Sequence, residues 1–385
     1  MFNIQTLNKI SPTGLAVLDS NYACSDNPAN PDAILVRSAS MHEMELSDNL
    51  LAIARAGAGV NNIPIDKCSE KGVVVFNTPG ANANAVKELV ITGLLMASRK
   101  IIPAIEWAKT LKGQGDAVGK LVEKGKGVFA GPEIKGKKLG VIGLGAIGVL
   151  VANAAKNLGM TVYGYDPYLS VESAWELSRH IIHANSTKEI FENCDYISVH
   201  VPLLPATKNM IDAEAISSMK DGVRILNFSR DALVNSNDML AALASGKVSV
   251  YVVDFPTDEM IGVDGVIAIP HLGASTPESE DNCAVMAASQ VKDYLETGSI
   301  RNSVNLPAVD AGPVVHSRLC VLHKNIPHII TNITTYFSSL NLNIENLISK
   351  SRGDYAYAVV DFAGDIDLEA INAIEGVIKT RVIKN

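Results

Sequence analysis

Two doubly wound α/β units on parallel sheets, followed by a small βαββαβ ferredoxin-like module, are predicted for this 385-residue chain by the order of its hydrophobic patterns. Three observations carry that reading. Short β-branched runs alternate with segments of helical spacing from residue 138 to residue 270. The first hundred residues hold a smaller version of the same alternation. Beyond the linker "NSVNLPAVDAGP" (302–313) the order changes to strand, helix, strand, strand, helix, strand.

In the first unit "AILVRSA" (33–39), "LLAIARAG" (50–57) and "GVVVFNT" (72–78) are apolar runs of strand length, as expected for strands buried on both faces. "NAVKELVITGLLMASRK" (84–100) follows with helical spacing. In the second unit strands are expected at 138–143, 161–166, 196–201, 224–229, 248–254 and 266–270, with helices at 187–193, 212–220 and 236–245. A helical pattern over 277–297 carries the chain back to the first unit. That unit is then discontinuous, 1–97 with 285–306, and the second occupies 98–284. Pro307, Gly312 and Pro313 mark the linker to the last module, 315–385, which reads strand 318–322, helix 327–340, strands 343–349 and 355–361, helix 367–375 and strand 378–383.

Composition narrows the function classes. A 47% hydrophobic content excludes general disorder, and a net charge of −8 without any Lys/Arg run argues against a nucleic-acid surface. The uncharged run Leu139–Ala155 falls short of a bilayer span and is broken by glycines, so no membrane segment is expected. Cys24, Cys68, Cys194, Cys283 and Cys320 are scattered without a CxxC, the pattern of reduced thiols rather than of disulfides or a metal site. The stretch "MFNIQTLNKISPTG" has no signal-peptide core, which makes a cytosolic enzyme the expectation.

The same run changes character inside itself. Leu139–Ile142 has strand character, whereas Ile147, Leu150, Val151, Ala154, Ala155 and Leu158 recur at helical spacing. Gly143-Leu144-Gly145-Ala146-Ile147-Gly148 sits at the turn between them, and a second strand ends in Asp166 about 20 residues on. Gly143 permits the tight turn, Gly145 lets a pyrophosphate approach the backbone, and Gly148 lets helix and strand pack closely. Asp166 would accept hydrogen bonds from ribose hydroxyls and repel a 2′-phosphate, which selects NAD and makes the sheet Rossmann-like.

Ligands of open α/β sheets bind beyond the carboxyl ends of the strands. Three such ends deliver charged or titratable groups: Arg230 in "RILNFSRDALV", Asp254, Asp258 and Glu259 in "SVYVVDFPTDE", and His271 in "VIAIPHLGAST". Oxidising a 2-hydroxy acid needs a base for the hydroxyl proton, and a His titrates near neutrality. A carboxylate beside the His favours imidazolium, and an Arg pairs bidentately with the substrate carboxylate. In the first unit the turn Ala56-Gly57-Ala58-Gly59-Val60 is glycine-rich enough to present backbone N–H groups to an anion.

"GLGAIG", "VHVPLLPATKNMI", "LNFSRDALV" and "PHLGAST" together resemble the motifs of the D-isomer-specific 2-hydroxyacid dehydrogenase family, over nearly the whole chain. The resemblance implies an NAD-dependent enzyme with Arg230 orienting the substrate, His271 as acid/base and an acidic partner. Glu259 is preferred for that partner over Asp258. Implied cofactor contacts run from Gly143, Gly145, Ala146, Ile147 and Gly148 to Asp166, Pro202 and Asp254. Substrate contacts would come from Arg55, facing a phosphate, with Gly57, Ala58, Gly59 and Asn82. The favoured reaction is oxidation of 3-phospho-D-glycerate to 3-phosphohydroxypyruvate, the first step toward L-serine. The alternatives are a reductase of hydroxypyruvate, glyoxylate or 2-oxoglutarate, and a non-catalytic dinucleotide sensor. The last module resembles an ACT domain, in which His323, Asn325 and Asn343 would bind L-serine as effector, and a homodimer or homotetramer is implied. Ala146 stands where the family often carries Arg or Lys, Asp231 where it carries Gly, and His328 where it usually has Gly.

Overall fold

Strands buried on both faces need little length and no alternation, and the central and later strands of the first sheet are of this kind. The computed structural model describes residues 1–385, and in it β1 (Phe2–Leu7), β2 (Tyr22–Ser25), β3 (Ala33–Val36), β4 (Ala52–Arg55) and β5 (Val74–Phe76) form a parallel sheet in the order β2-β1-β3-β4-β5. The first two strands were not legible as an apolar run. Gln5 and Thr6 interrupt β1, yet both are buried, because Gln5 donates to the Asp26 carbonyl at 3.1 Å and Thr6 to the Asp26 carboxylate at 2.8 Å.

Seven parallel strands make the second sheet: β6 (Lys138–Ile142), β7 (Thr161–Tyr165), β8 (Ile182–His183), β9 (Tyr196–Val199), β10 (Val223–Asn227), β11 (Val248–Val253) and β12 (Val266–Ala268). Their order is β12-β11-β10-β9-β6-β7-β8, so the winding reverses between β6 and β9. That reversal is the switch point at which doubly wound sheets bind ligands. The helix Ala83–Ser98 covers one face, packing Val86, Val90, Leu94 and Ala97 against a core that includes Val141, Leu226 and Val252. Short helices lie at Ile101–Lys109, within the helical pattern that runs on to residue 110, and at Val118–Gly125, which the sequence pattern did not reveal; neither buries any of its residues.

The chain forms two compact units, Met1–Asn82 with Pro277–Asn385, and Ala83–Thr276. The boundaries expected at 97/98 and 284/285 fall inside the helices Ala83–Ser98 and Pro277–Thr297, and the breaks lie at the N-terminal ends of those helices. No helix is long and apolar enough to cross a membrane.

The C-terminal module comprises β13 (Ser317–Lys324), β14 (Ile344–Arg352), β15 (Tyr355–Phe362) and β16 (Val377–Lys384), antiparallel in the order β14-β15-β13-β16, with helices Ile329–Ser339 and Leu368–Asn372. Alternation along β13 and β15 splits the buried residues between the two faces. Leu319, Val321, Ala358 and Val360 meet the module's helices through Ile333, Phe337 and Ile371. Cys320, Leu322, Tyr357 and Val359 belong instead to the core of the first sheet and the helix Pro277–Thr297.

Two cations, Arg318 buried and Arg381 half-buried, fasten this packing. Arg318 makes a bidentate pair with Asp361, at 2.6 and 3.0 Å, and gives its remaining donors to the carbonyls of Thr297, Ala311, Gly312 and Pro313. Arg381 stacks on Tyr294, 4.3 Å from the ring centroid, and donates to the carbonyls of Tyr294 and Leu295, which satisfies acceptors in the last turn of the long helix.

His328 caps the helix Ile329–Ser339 with φ +72°, a left-handed conformation that strains any side chain with a Cβ. His328→Gly is therefore expected to stabilise the protein by about 1 kcal/mol. A urea titration checks this, and an unchanged or lower midpoint would count against strain at this position.

Candidate active site

The dinucleotide turn is built as the glycine pattern requires. Gly143 has φ +92°, and a Cβ there would lie 2.5 Å from the His200 carbonyl oxygen; a Cβ on Gly148 would lie 1.9 Å from the Gly143 carbonyl oxygen. Gly145 has nothing within 4 Å of its missing side chain, and it caps the helix Ala146–Asn157, whose first residue Ala146 is exposed while Ile147 packs half-buried against the core. Backbone N–H groups at a helix start are thus left open to an anion. Asp166 ends β7 and accepts from the N–H groups of Leu144 and Tyr168, both at 2.8 Å. A carboxylate has acceptor capacity beyond two bonds, so ribose hydroxyls can still be served.

Pro202 follows β9 on an exposed loop, "HVPLLP", whose carbonyl at Pro202 accepts from the Thr207 hydroxyl at 2.6 Å. His200, at its start, shares a 2.8 Å hydrogen bond with the Ser198 hydroxyl, and burial pushes its pKa down to about 4. Burial thus favours its neutral form, and its hydrogen bond ties it to strand β9.

Asp254 ends β11 at 2% exposure, and its Oδ1 has no hydrogen-bond partner. Burial pushes its pKa up to about 6, against the opposing pull of its own backbone N–H and of Arg230. An orphaned buried carboxylate oxygen at a strand end is an acceptor waiting for a donor, and a nicotinamide carboxamide is such a donor. Together with the open helix start and Asp166, the residues fit NAD. The native state holds the Asp254 proton more tightly than the unfolded chain, so stability falls as pH rises from 3.8 through 6. Asp254→Asn is expected to raise stability by about 1–3 kcal/mol above that window and by little below it. Urea midpoints at pH 4 and pH 8 check this, and an equal effect at both pH values would contradict it.

Arg230, Phe255 and His271 come together at the ends of β10, β11 and β12. Both of the others meet the Phe255 ring: the Arg230 guanidinium carbon is 5.7 Å from its centroid, and the His271 ring centroid is 4.2 Å away. Arg230 donates to the Ser229 carbonyl at 2.6 Å and forms no ion pair with Asp231, which opens the short helical turn Asp231–Leu233. Desolvation first, and the Arg230 charge second, hold the His271 pKa below its ordinary value.

The expected carboxylate is not beside that histidine. Glu259 is exposed in the turn Asp258–Met260, where its own backbone N–H and the Thr257 hydroxyl lower its pKa, and no hydrogen bond or ion pair joins it or Asp258 to His271. Phe255 was missed by sequence reasoning, although its place two residues after a strand-end Val and directly after Asp254 is a readable signal.

In the first unit Arg55 ends β4 and turns back beneath the glycine turn. Its Nε donates to the Arg37 carbonyl at 3.0 Å and its Nη1 to the Gly59 carbonyl at 2.5 Å, so the guanidinium is engaged by backbone. A Cβ on Gly57 or Gly59 would meet that guanidinium at 3.2 or 3.1 Å. Asn82 is half-buried at the end of the loop before the helix Ala83–Ser98. In the C-terminal module His323 is 4% exposed, with Nδ1 bonded to the Lys324 carbonyl at 2.7 Å and Nε2 without a partner; Asn325 donates to the Gly353 carbonyl at 3.0 Å, and Asn343 is exposed.

A dinucleotide turn at the switch point of a 3-2-1-4-5-6-type sheet, with an Arg and a His at neighbouring strand ends, defines an NAD-binding α/β protein equipped for acid/base chemistry. Comparison with known proteins makes the class specific. Residues 91–273 match the family model described as "D-isomer specific 2-hydroxyacid dehydrogenase, NAD binding domain". The D-3-phosphoglycerate dehydrogenase of Escherichia coli K12 is 32% identical over 353 residues, covering 88% of this chain and 82% of that one. The chain belongs to the D-isomer specific 2-hydroxyacid dehydrogenase family. The D-3-phosphoglycerate dehydrogenases of Methanocaldococcus jannaschii and Bacillus subtilis are 35% and 32% identical over 72% and 80% of the chain, which spans only 52% and 60% of their lengths. Among solved structures, the NAD⁺-bound 3-phosphoglycerate dehydrogenase of Entamoeba histolytica superposes with a TM-score of 0.61 at 25% identity, covering 79% of this chain and 98% of that one.

Proposed function

We propose that the protein oxidises 3-phospho-D-glycerate to 3-phosphohydroxypyruvate with NAD, the first step toward L-serine. The observation that carries the chemistry is the cluster of Arg230 and His271 about Phe255 at three adjacent strand ends. The names of the relatives support the substrate. NAD, when bound, supplies the hydride acceptor. Gly143, Gly145, Ala146, Ile147 and Gly148 would hold its pyrophosphate, Asp166 its ribose, and Pro202 and Asp254 its nicotinamide end. His271 takes the hydroxyl proton from the substrate, or returns it to the carbonyl oxygen in the reverse direction. Arg230 pairs with the substrate carboxylate, and its charge keeps unprotonated imidazole available as base. Glu259 reaches His271 only if the Asp258–Met260 turn moves when substrate binds. In the first unit, Ala58 and Gly59 offer backbone N–H groups to an anion, beside Gly57, whose own N–H is given to the Arg55 carbonyl, with Asn82 at the neighbouring loop.

One observation favours a second reading. Arg55 spends two donors on backbone carbonyls, which leaves less of it for a phosphate and suits an unphosphorylated acid such as hydroxypyruvate, glyoxylate or 2-oxoglutarate. Steady-state NADH oxidation by wild type and Arg55→Ala separates the two. A KM that rises for phosphohydroxypyruvate alone supports the phosphate role; equal KM values for phosphorylated and unphosphorylated acids remove it.

We further propose L-serine as effector of the ACT-like module through His323, Asn325 and Asn343, on the unpartnered Nε2 of buried His323. A homodimer or homotetramer is supported by the exposed Ile101, Ile102 and Ile105 on a helix that buries none of its residues. Five free cysteines, four of them buried, support a cytosolic location.

A further inference from the structure

Each peptide unit is planar and trans, so its N–H points away from its C=O, and fixing one carbonyl aims the next residue's N–H the opposite way. In the turn Gly57–Val60 three successive carbonyls are taken. Gly57 accepts from the Thr78 N–H at 3.1 Å, Ala58 from the Asn77 side-chain amide at 2.6 Å, and Gly59 from Arg55. The N–H groups of Ala58, Gly59 and Val60 donate to nothing in the protein, and Ala58 is exposed. Each of these three free donors thus belongs to a peptide unit whose carbonyl is held by another group.

Asn77 is itself held. Gln290, on the helix Pro277–Thr297, donates its amide to the Asn77 carbonyl at 3.0 Å. Its neighbours on that helix face, Ala284, Ala287, Ala288, Val291 and Tyr294, are all buried apolar residues, whereas Gln290 is 7% exposed. Its Oε1 is buried without a partner, a cost in stability that the single hydrogen bond to Asn77 does not remove.

We infer that Asn77 and Gln290 are positioning residues, which aim the Gly59 N–H of the turn at a ligand carboxylate without touching the ligand. The inference rests on the reading of a 2-hydroxy acid as substrate. Asn77 fixes the Ala58 carbonyl and hence the Gly59 N–H; Gln290 fixes the backbone on which Asn77 stands. Arg55 fixes the Gly59 carbonyl and hence the Val60 N–H.

The test compares wild type with Asn77→Asp, which keeps the size of the side chain but has no N–H to give the Ala58 carbonyl, and with Gln290→Glu. Three quantities are read on the full chain: KM and kcat for the best-used 2-oxo acid, calorimetric affinity of the NADH-loaded protein for oxalate, and amide exchange at residues 57–60. Asn77→Asp is expected to raise KM and weaken oxalate by about tenfold or more, with kcat and NADH affinity much less changed and amide exchange at Gly59 faster. Gln290→Glu should shift the same quantities in the same direction by less. A merely structural role would lower kcat and NADH affinity along with KM. Unchanged oxalate affinity in Asn77→Asp overturns the inference, as does failure of the wild type to bind oxalate. Absence of turnover with every 2-oxo acid would refute the substrate reading alone, since oxalate affinity and amide exchange would still decide the role of Asn77.

Discussion

His271→Ala is expected to lower kcat by about 10²–10⁴-fold while leaving NADH affinity unchanged. The ring is the titratable group at the Arg230–Phe255 cluster, and no other imidazole can replace it there, because His200 is held neutral by burial and bonded to Ser198. In the proposed site NADH is held by the turn at Gly143–Gly148, by Asp166 and by Asp254, none of which the substitution alters. Fluorescence titration with NADH and single-turnover rates give the two halves of the result. Turnover at the wild-type rate would remove His271 from the chemistry. The direction of its pKa adds a pH signature. Because desolvation and Arg230 lower that pKa, the basic form persists to lower pH than in free imidazole. The acidic limb of the oxidation rate should therefore lie below the ordinary histidine value, and replacing Phe255 with the smaller Leu, which exposes the ring, should move it up.

Arg318→Ala is expected to cost about 3–5 kcal/mol, the largest stability loss of any single substitution considered for this chain. The guanidinium is 1% exposed and serves the Asp361 carboxylate and four carbonyls of the segment Thr297–Pro313 at once. Its removal leaves a largely buried carboxylate and several carbonyls without donors. Much of the cost comes from the abandoned Asp361. The pair of substitutions Arg318→Met with Asp361→Leu should therefore recover part of the loss, since two apolar groups leave no charge unpaired. Equilibrium urea unfolding measures both. A loss below about 1 kcal/mol in Arg318→Ala would mean that the pair behaves as an exposed ion pair.

How much of this was readable from residues alone depends on what each residue advertises. The fingerprint Gly143–Gly148 with Asp166 was fully legible, because the turn demands glycine for steric reasons that leave a trace in the sequence. Strands β3 to β5 and β6, β7 and β9 to β12 announced themselves as apolar runs. β1 did not, because its buried Gln5 and Thr6 are satisfied by Asp26, a partner 20 residues away whose placement no local pattern encodes. The departure at His328 was legible as a problem, and the structure shows the left-handed backbone that makes it one. Arg55 was read as a side chain aimed outward, whereas it folds back under its own turn; Asn77 and Gln290, which share that work, are 213 residues apart. The placement of Glu259 was beyond sequence reasoning because it depends on the conformation of one short turn.

The measurement that tests the central claim most directly is NADH oxidation by the purified protein with phosphohydroxypyruvate, hydroxypyruvate and 2-oxoglutarate in parallel, each with and without L-serine. A kcat/KM for phosphohydroxypyruvate well above the other two, depressed by L-serine, is the predicted result. Preference for an unphosphorylated acid would keep the fold, the NAD site and the role of His271 and contradict the phosphoglycerate assignment; no oxidation with any of the three would contradict the dehydrogenase reading itself.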